Sequence, residues 1–69
     1  MKIYNKIKKI RKSLGLSQAD LAAELCVSQG LISNYERQIN NVSPEVANKL
    51  ISVALERGLT INFNDIYKT

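Results

Sequence analysis

The sequence predicts an all-α fold: a compact bundle of five short helices forming one domain over residues 1–69. Three observations lead there. A helix-start signal recurs four times within 69 residues. It consists of a Ser or Asn that follows an apolar residue and precedes another by four positions. Between these starts, apolar residues recur at helical spacing. The composition is 45% apolar but only 6% aromatic, with no Trp, which fits a globular chain with an aliphatic core rather than a disordered one.

The elements follow in order. Ile3, Ile7, Ile10 and Leu14 step by four, three and four, the stripe of a first helix that Gly15 stops. Leu16-Ser17 with Leu21 opens a second helix over about 18–25. The Ser17 oxygen can satisfy an orphan backbone N–H, the flanking leucines form a hydrophobic staple, and Asp20 completes a capping box. Val27-Ser28 with Ile32 opens a third helix over about 29–36, lined by Ile32 and Tyr35. Val42-Ser43 with Ala47 opens a fourth over about 44–56, with Pro44 at the favoured first position. Val46, Leu50, Val53 and Ala54 line it, and Gly58 ends it. Ile61-Asn62 with Ile66, and Asp65 three after the cap, opens a fifth over about 63–68. The alternation of Leu59, Ile61 and Phe63 makes a short strand the competing reading there.

Several functions are excluded early. There is no His, and Cys26 is the only cysteine, so neither a Cys/His metal cage nor an internal disulfide is expected. This fits the reducing cytoplasm. No apolar run approaches the roughly 20 residues that span a bilayer, and the first residues lack the apolar core of a signal peptide. Asp20 and Glu24 sit four apart on one helix face, but no nucleophile and base accompany them, so they read as solvated charges. With few residues to build a pocket and no imidazole, catalysis is not expected, nor is a cofactor, a metal or a small-molecule ligand.

Charge is distributed unevenly. The net charge is +4, yet residues 1–12 carry Lys2, Lys6, Lys8, Lys9, Arg11 and Lys12 and no acid, while the remainder is slightly acidic. A basic end of this kind points to an anionic partner. Lipid is the weaker candidate, because Ile7, Ile10 and Leu14 are needed to close so small a core and leave the first helix no free apolar face.

The segment from Gln18 to Arg37, QADLAAELCVSQGLISNYER, places two helices about a turn of roughly three residues at Cys26-Val27-Ser28. Ala22 is small where the helices would cross. This is the shape of a helix-turn-helix, whose second helix enters a major groove. At about 100° per residue, Gln29, Gly30, Ser33, Asn34 and Arg37 share one face of the third helix. Ile32 and Tyr35 lie opposite, and Leu31 lies on the flank. The polar face carries no acid, and Gln and Asn amides can pair with adenine edges. The bland alternative is a solvated helix face; the matching helix, the turn and the basic helix upstream favour the nucleic-acid reading.

IRKSLGLSQADLA (10–22) and VSQGLISNYER (27–37) resemble the Cro/lambda-repressor-type helix-turn-helix family of phage and bacterial regulators. The resemblance covers nearly the whole chain and weakens after Gly58. It implies a five-helix domain with helix two across the DNA backbone and helix three in the groove. By position, Gln29, Gly30, Ser33 and Asn34 would face bases. Gln18 would approach a phosphate or the outermost base pair. Ser28, Arg37, Gln38, Asn40 and Asn41 would lie along the backbone, joined by Lys8, Lys9 and Lys12 of the basic helix. Relatives pair an Arg late in helix one with a Glu late in helix three, positions held here by Arg11 and Glu36.

The chain also departs from the pattern. Relatives usually carry Gly where Cys26 stands, because that residue is left-handed, and a non-Gly residue there costs about 1 kcal/mol. No positive neighbour or base gives Cys26 a redox role. The turn after helix three is commonly Gly-containing and basic, whereas here it reads RQINNVS. Gly30 is costly inside a helix by about 0.5–1 kcal/mol, either for close approach to DNA or as a tolerated residue.

The function expected from the resemblance is sequence-specific binding to double-stranded operator DNA by a small Cro-like repressor. The alternatives are an antitoxin, or the N-terminal DNA-binding domain of a longer repressor. A weak homodimer, strengthened on DNA, is expected through the tail over 59–69, where Leu59, Ile61, Phe63, Ile66 and Tyr67 exceed what a short cap requires.

Overall fold

A computed structural model describes residues 4–68, with the backbone alone at Lys68. Lys2 and Ile3 lie outside the described residues. The order is β1 (Tyr4–Asn5), α1 (Ile7–Ser13), α2 (Gln18–Leu25), α3 (Gln29–Glu36), α4 (Pro44–Glu56), α5 (Phe63–Ile66) and β2 (Tyr67–Lys68).

All four start signals are used. The hydroxyls of Ser28 and Ser43 accept from the backbone N–H groups of Leu31 and Val46 at 3.1 and 3.2 Å. Ser17 with Asp20, and Asn62 with Asp65, form reciprocal capping boxes. Each cap satisfies donors that the first helical turn would otherwise leave unpaired. Gly15 and Gly58 adopt positive φ of 71° and 86° after α1 and α4, the left-handed exits that glycine takes without steric penalty.

The core lies where α1, α2, α3, α4 and α5 converge. Ile7, Leu21, Leu25, Ile32, Leu50 and Ile66 are fully buried, and Ala22 is small enough to let α3 pack closely on α2. Leu14, Leu16, Val27, Leu31, Ile51, Leu59 and Ile61 seal the margins.

The ends of the chain depart from the sequence expectation. Residues 4–5 are a strand rather than the start of the first helix. They pair antiparallel with residues 67–68, in the register Tyr4 to Lys68 and Asn5 to Tyr67. The fifth helix therefore stops at Ile66, where the Tyr67 backbone turns extended. No strand forms over residues 59–63. Their alternation instead reflects a loop in which Leu59 and Ile61 pack on the core before Asn62 caps α5.

The tail is also less free than its composition implies. Of its five large apolar residues, Ile66 is fully buried and Leu59 and Ile61 are half-buried. The half-buried Tyr67 donates its hydroxyl to the Val42 carbonyl at 2.8 Å. Of the five, Phe63 alone is exposed, at the start of α5; Leu55 is exposed on α4. The tail thus mainly closes its own core.

Candidate nucleic-acid interface

α2 and α3 pack against each other across the turn 26–28, and Cys26 makes that turn. Its φ of 58° and ψ of 41° are left-handed, as the glycine of relatives at this place leads one to expect. The Val27 N–H then reaches the Ala22 carbonyl at 3.0 Å, and Ser28 caps α3 immediately afterwards. Cys26 is exposed and free.

α3 buries Ile32 and Tyr35 and turns Gln29 and Gly30 fully outward, with Ser33 and Asn34 partly exposed beside them. Arg37, Asn40 and Asn41 are exposed just beyond it. A methyl group added at Gly30 would meet only the Ser28 Oγ at 3.9 Å, so nothing within the protein requires a glycine there.

The elements around this face are joined at one carboxylate. Arg11 Nε and Nη2 donate to Glu36 Oε2 and Oε1 at 2.6 and 3.1 Å, a two-pronged pair. A further guanidinium nitrogen, Nη1, donates to the Leu16 carbonyl at 2.9 Å. Gln18 Nε2 donates to Glu36 Oε1 at 3.2 Å. Glu36 thereby links the last turn of α1, the first turn of α2 and the last turn of α3. Its side chain is 5% exposed and that of Arg11 13%. Burial pushes the Glu36 carboxyl pKa up. The hydrogen bonds from Arg11 and Gln18, with the positive charges of Arg11 and Lys8, more than offset this, and its pKa lies below its ordinary value. On Arg11, the bond to Glu36 outweighs desolvation and raises the pKa further.

Lys8, Lys9 and Lys12 of α1 border one open groove but differ in their other neighbours. Lys8, three residues before Arg11, is near enough to influence Glu36. Lys12 follows it on the outer surface. Lys9 is rotated about 100° from Lys8 and also borders the loop 59–61 and Asp65. An open groove of about 1030 Å³ runs past these lysines to Glu36 and Gln38.

The Gln38 side-chain amide is engaged within the protein. It accepts from the Asn5 N–H at 2.9 Å and donates to the Asn5 carbonyl at 3.1 Å. Asn5 in turn donates its Nδ2 to the Tyr35 carbonyl at 2.8 Å. Sequence reasoning missed Asn5 altogether. It is one polar residue in a basic segment, and its partners lie 30 and 33 positions away.

Two packed helices, a left-handed turn and an exposed acid-free face on the second helix define a helix-turn-helix DNA-binding protein. A helix-turn-helix family model matches residues 7–53, from the start of α1 to near the end of α4. The chain belongs to the Cro/C1-type helix-turn-helix family and is a DNA-binding transcriptional regulator. Comparison with curated proteins gave no match. Among the described residues, no helix is long and apolar enough to cross a membrane.

Proposed function

We propose that the protein is a small Cro-like repressor that binds a specific operator and occludes a promoter. The carrying observation is the outward face of α3, which presents Gln29, Gly30, Ser33 and Asn34 with no acid among them. Gln29 and Asn34 read base edges in the major groove. Ser33 adds a short hydroxyl, and Gly30 lets the helix backbone approach closely. Ser28, Arg37, Asn40 and Asn41 lie along the phosphates. Gln18 does so from the start of α2, with its amide nitrogen held by Glu36.

Gly30 gives a direct check. Gly30→Ala has space in the free protein and removes a flexible residue from a helix, so it is expected to raise stability by about 0.5–1 kcal/mol. Binding to the selected duplex is expected to weaken, because the added methyl meets DNA. Thermal melting and a binding titration measure the two effects. Unchanged affinity would mean that the glycine is simply tolerated.

Lys8, Lys9 and Lys12 supply sequence-independent attraction. Each phosphate contact removed lowers the salt slope of binding by about one unit. Lys8→Gln and Lys12→Gln are expected to do so. Lys9→Gln, on the flank toward Asp65, is expected to change the slope less. Equal slopes in all three variants and the wild type would leave these lysines merely solvated.

One α3 addresses only a few base pairs, so two copies are proposed to bind together, with their reading helices about 34–36 Å apart in successive major grooves. Leu55 and Phe63 offer exposed apolar surface on α4 and α5. So little exposed apolar surface favours weak association that DNA strengthens, below the roughly 800 Å² per partner of a standard interface. Selection of bound duplexes from a random library tests the function as a whole. A near-palindrome with half-sites one helical turn apart is expected, carrying two protein chains in sedimentation. Failure to enrich any sequence would overturn the operator-binding role, and a single chain on the full palindrome would overturn the dimer.

A further inference from the structure

We propose that Asn5 and Gln38 form a clamp that positions the reading helix, so that Gln38 serves DNA recognition from within the protein and touches no phosphate. This rests on the DNA-reading role of α3 proposed above.

The clamp consists of two hydrogen bonds between Asn5 and Gln38, a third from Asn5 to Tyr35, and an anchor. Both backbone polar groups of Asn5 are engaged by the Gln38 amide, at 2.9 and 3.1 Å. The Asn5 side chain reaches the Tyr35 carbonyl in the last turn of α3 at 2.8 Å, a carbonyl that also accepts from the Gln38 N–H at 3.0 Å. Its Oδ1 accepts from the Ile7 N–H at 3.1 Å and so anchors the residue to the start of α1. On the far side of β1, the Lys6 N–H donates to the Ile66 carbonyl at 2.7 Å. β1 therefore lies between β2 and a single side chain that occupies the place of a neighbouring strand.

Gln38 maintains this geometry in an unfavourable conformation. Its φ is 62°, a left-handed position that costs a residue with a Cβ about 1–2 kcal/mol and that glycine takes freely. The side chain that glycine lacks is the one that holds Asn5. The clamp is a second fixing point for α3. Arg11 and Gln18 hold Glu36 on one side of the exit, and Asn5 holds Tyr35 and Gln38 on the other. A helix fixed at both points cannot pivot about Glu36. Base contacts require this, since hydrogen bonds tolerate only a few tenths of an ångström of misplacement.

The test uses Gln38→Gly, Gln38→Ala and Asn5→Ala. Gln38→Gly removes the side chain and the left-handed penalty together, so its fold is retained, as thermal melting will record. Binding is measured across a range of salt on two probes: the duplex that the wild type selects from a random library, and a random-sequence duplex of equal length. The expected result is a loss of about three- to tenfold on the selected duplex, the effect of one or two hydrogen bonds. Binding to the random duplex and the salt slope are expected to stay unchanged. Asn5→Ala keeps the backbone bonds to Gln38 and removes the bond to Tyr35, so it is expected to lower selective binding by a separate route. Its combination with Gln38→Gly is expected to cost more than either alone. Equal losses on both duplexes, with a slope lower by about one unit, would make Gln38 a phosphate contact and overturn the clamp. A folded Gln38→Gly variant with undiminished selective binding would overturn it too. If the wild type selects no duplex, the DNA-reading role fails first and the clamp's purpose fails with it; that failure is distinguishable because it appears before any variant is made.

Discussion

Replacing Glu36 with Ala is expected to lower the unfolding free energy by about 1–3 kcal/mol, the cost of leaving part-buried donors without their charged acceptor. That is a large share of the roughly 5–15 kcal/mol available to a folded domain. The loss would leave the Arg11 guanidinium 13% exposed without its carboxylate, and the Gln18 amide without its acceptor. Arg11→Ala is expected to be comparably damaging, since Glu36 is the more deeply buried partner. The double variant is expected to cost less than the two losses added, because neither charge is then left stranded. Acid should act in the same direction as the variants. The folded-state pKa of Glu36 lies below its ordinary value of 4.5. Its contribution is thus complete above the unfolded pKa and is lost as pH falls through the folded one. Urea unfolding at a series of pH values below about 5 should show the wild type losing stability more steeply than Glu36→Gln. Parallel profiles would contradict this account of the pair.

Truncating Gln29 or Asn34 to Ala is expected to cost about 1–3 kcal/mol of affinity for the selected duplex and to relax the preference at one or two positions. Gln29 is exposed and Asn34 partly so, so stability should change little. Both face outward opposite Ile32 and Tyr35, which fix the rotation of α3 by burial. The competing expectation is a solvated helix face, for which the losses on selected and random duplexes would be equal and small. Competition binding with the two duplexes separates these outcomes.

The residues that place this face were legible because their signals are local. The caps at Ser17, Ser28, Ser43 and Asn62 each act within three residues, and the apolar stripes act within one helix. The left-handed Cys26 was legible only through resemblance, as a cysteine standing where relatives carry glycine. The strand ribbon was not legible. Tyr4–Asn5 and Tyr67–Lys68 pair across almost the whole chain, and two-residue strands have no periodicity to reveal them. The internal partner of Gln38 was not legible for a related reason. A polar residue just after a reading helix suggests the DNA backbone, and only the packing of the first strand makes its amide a partner of Asn5. Gln18 shows the same effect more mildly, since its position pointed to DNA while its nitrogen is drawn to Glu36. Composition counts the apolar residues of the tail but does not show that Ile66 is enclosed and that Tyr67 reaches Val42.

The central claim is that α3 lies in the major groove and reads bases there. Titrating the isotopically labelled protein with its selected duplex, and following backbone and side-chain amide resonances, tests it most directly. The predicted result is that the largest shifts fall on residues 28–34, on the side-chain amides of Gln29 and Asn34, and on the start of α2, with α4 and α5 little changed apart from the surface near Leu55 and Phe63. Shifts concentrated on α4, with the amides of Gln29 and Asn34 unmoved, would contradict it.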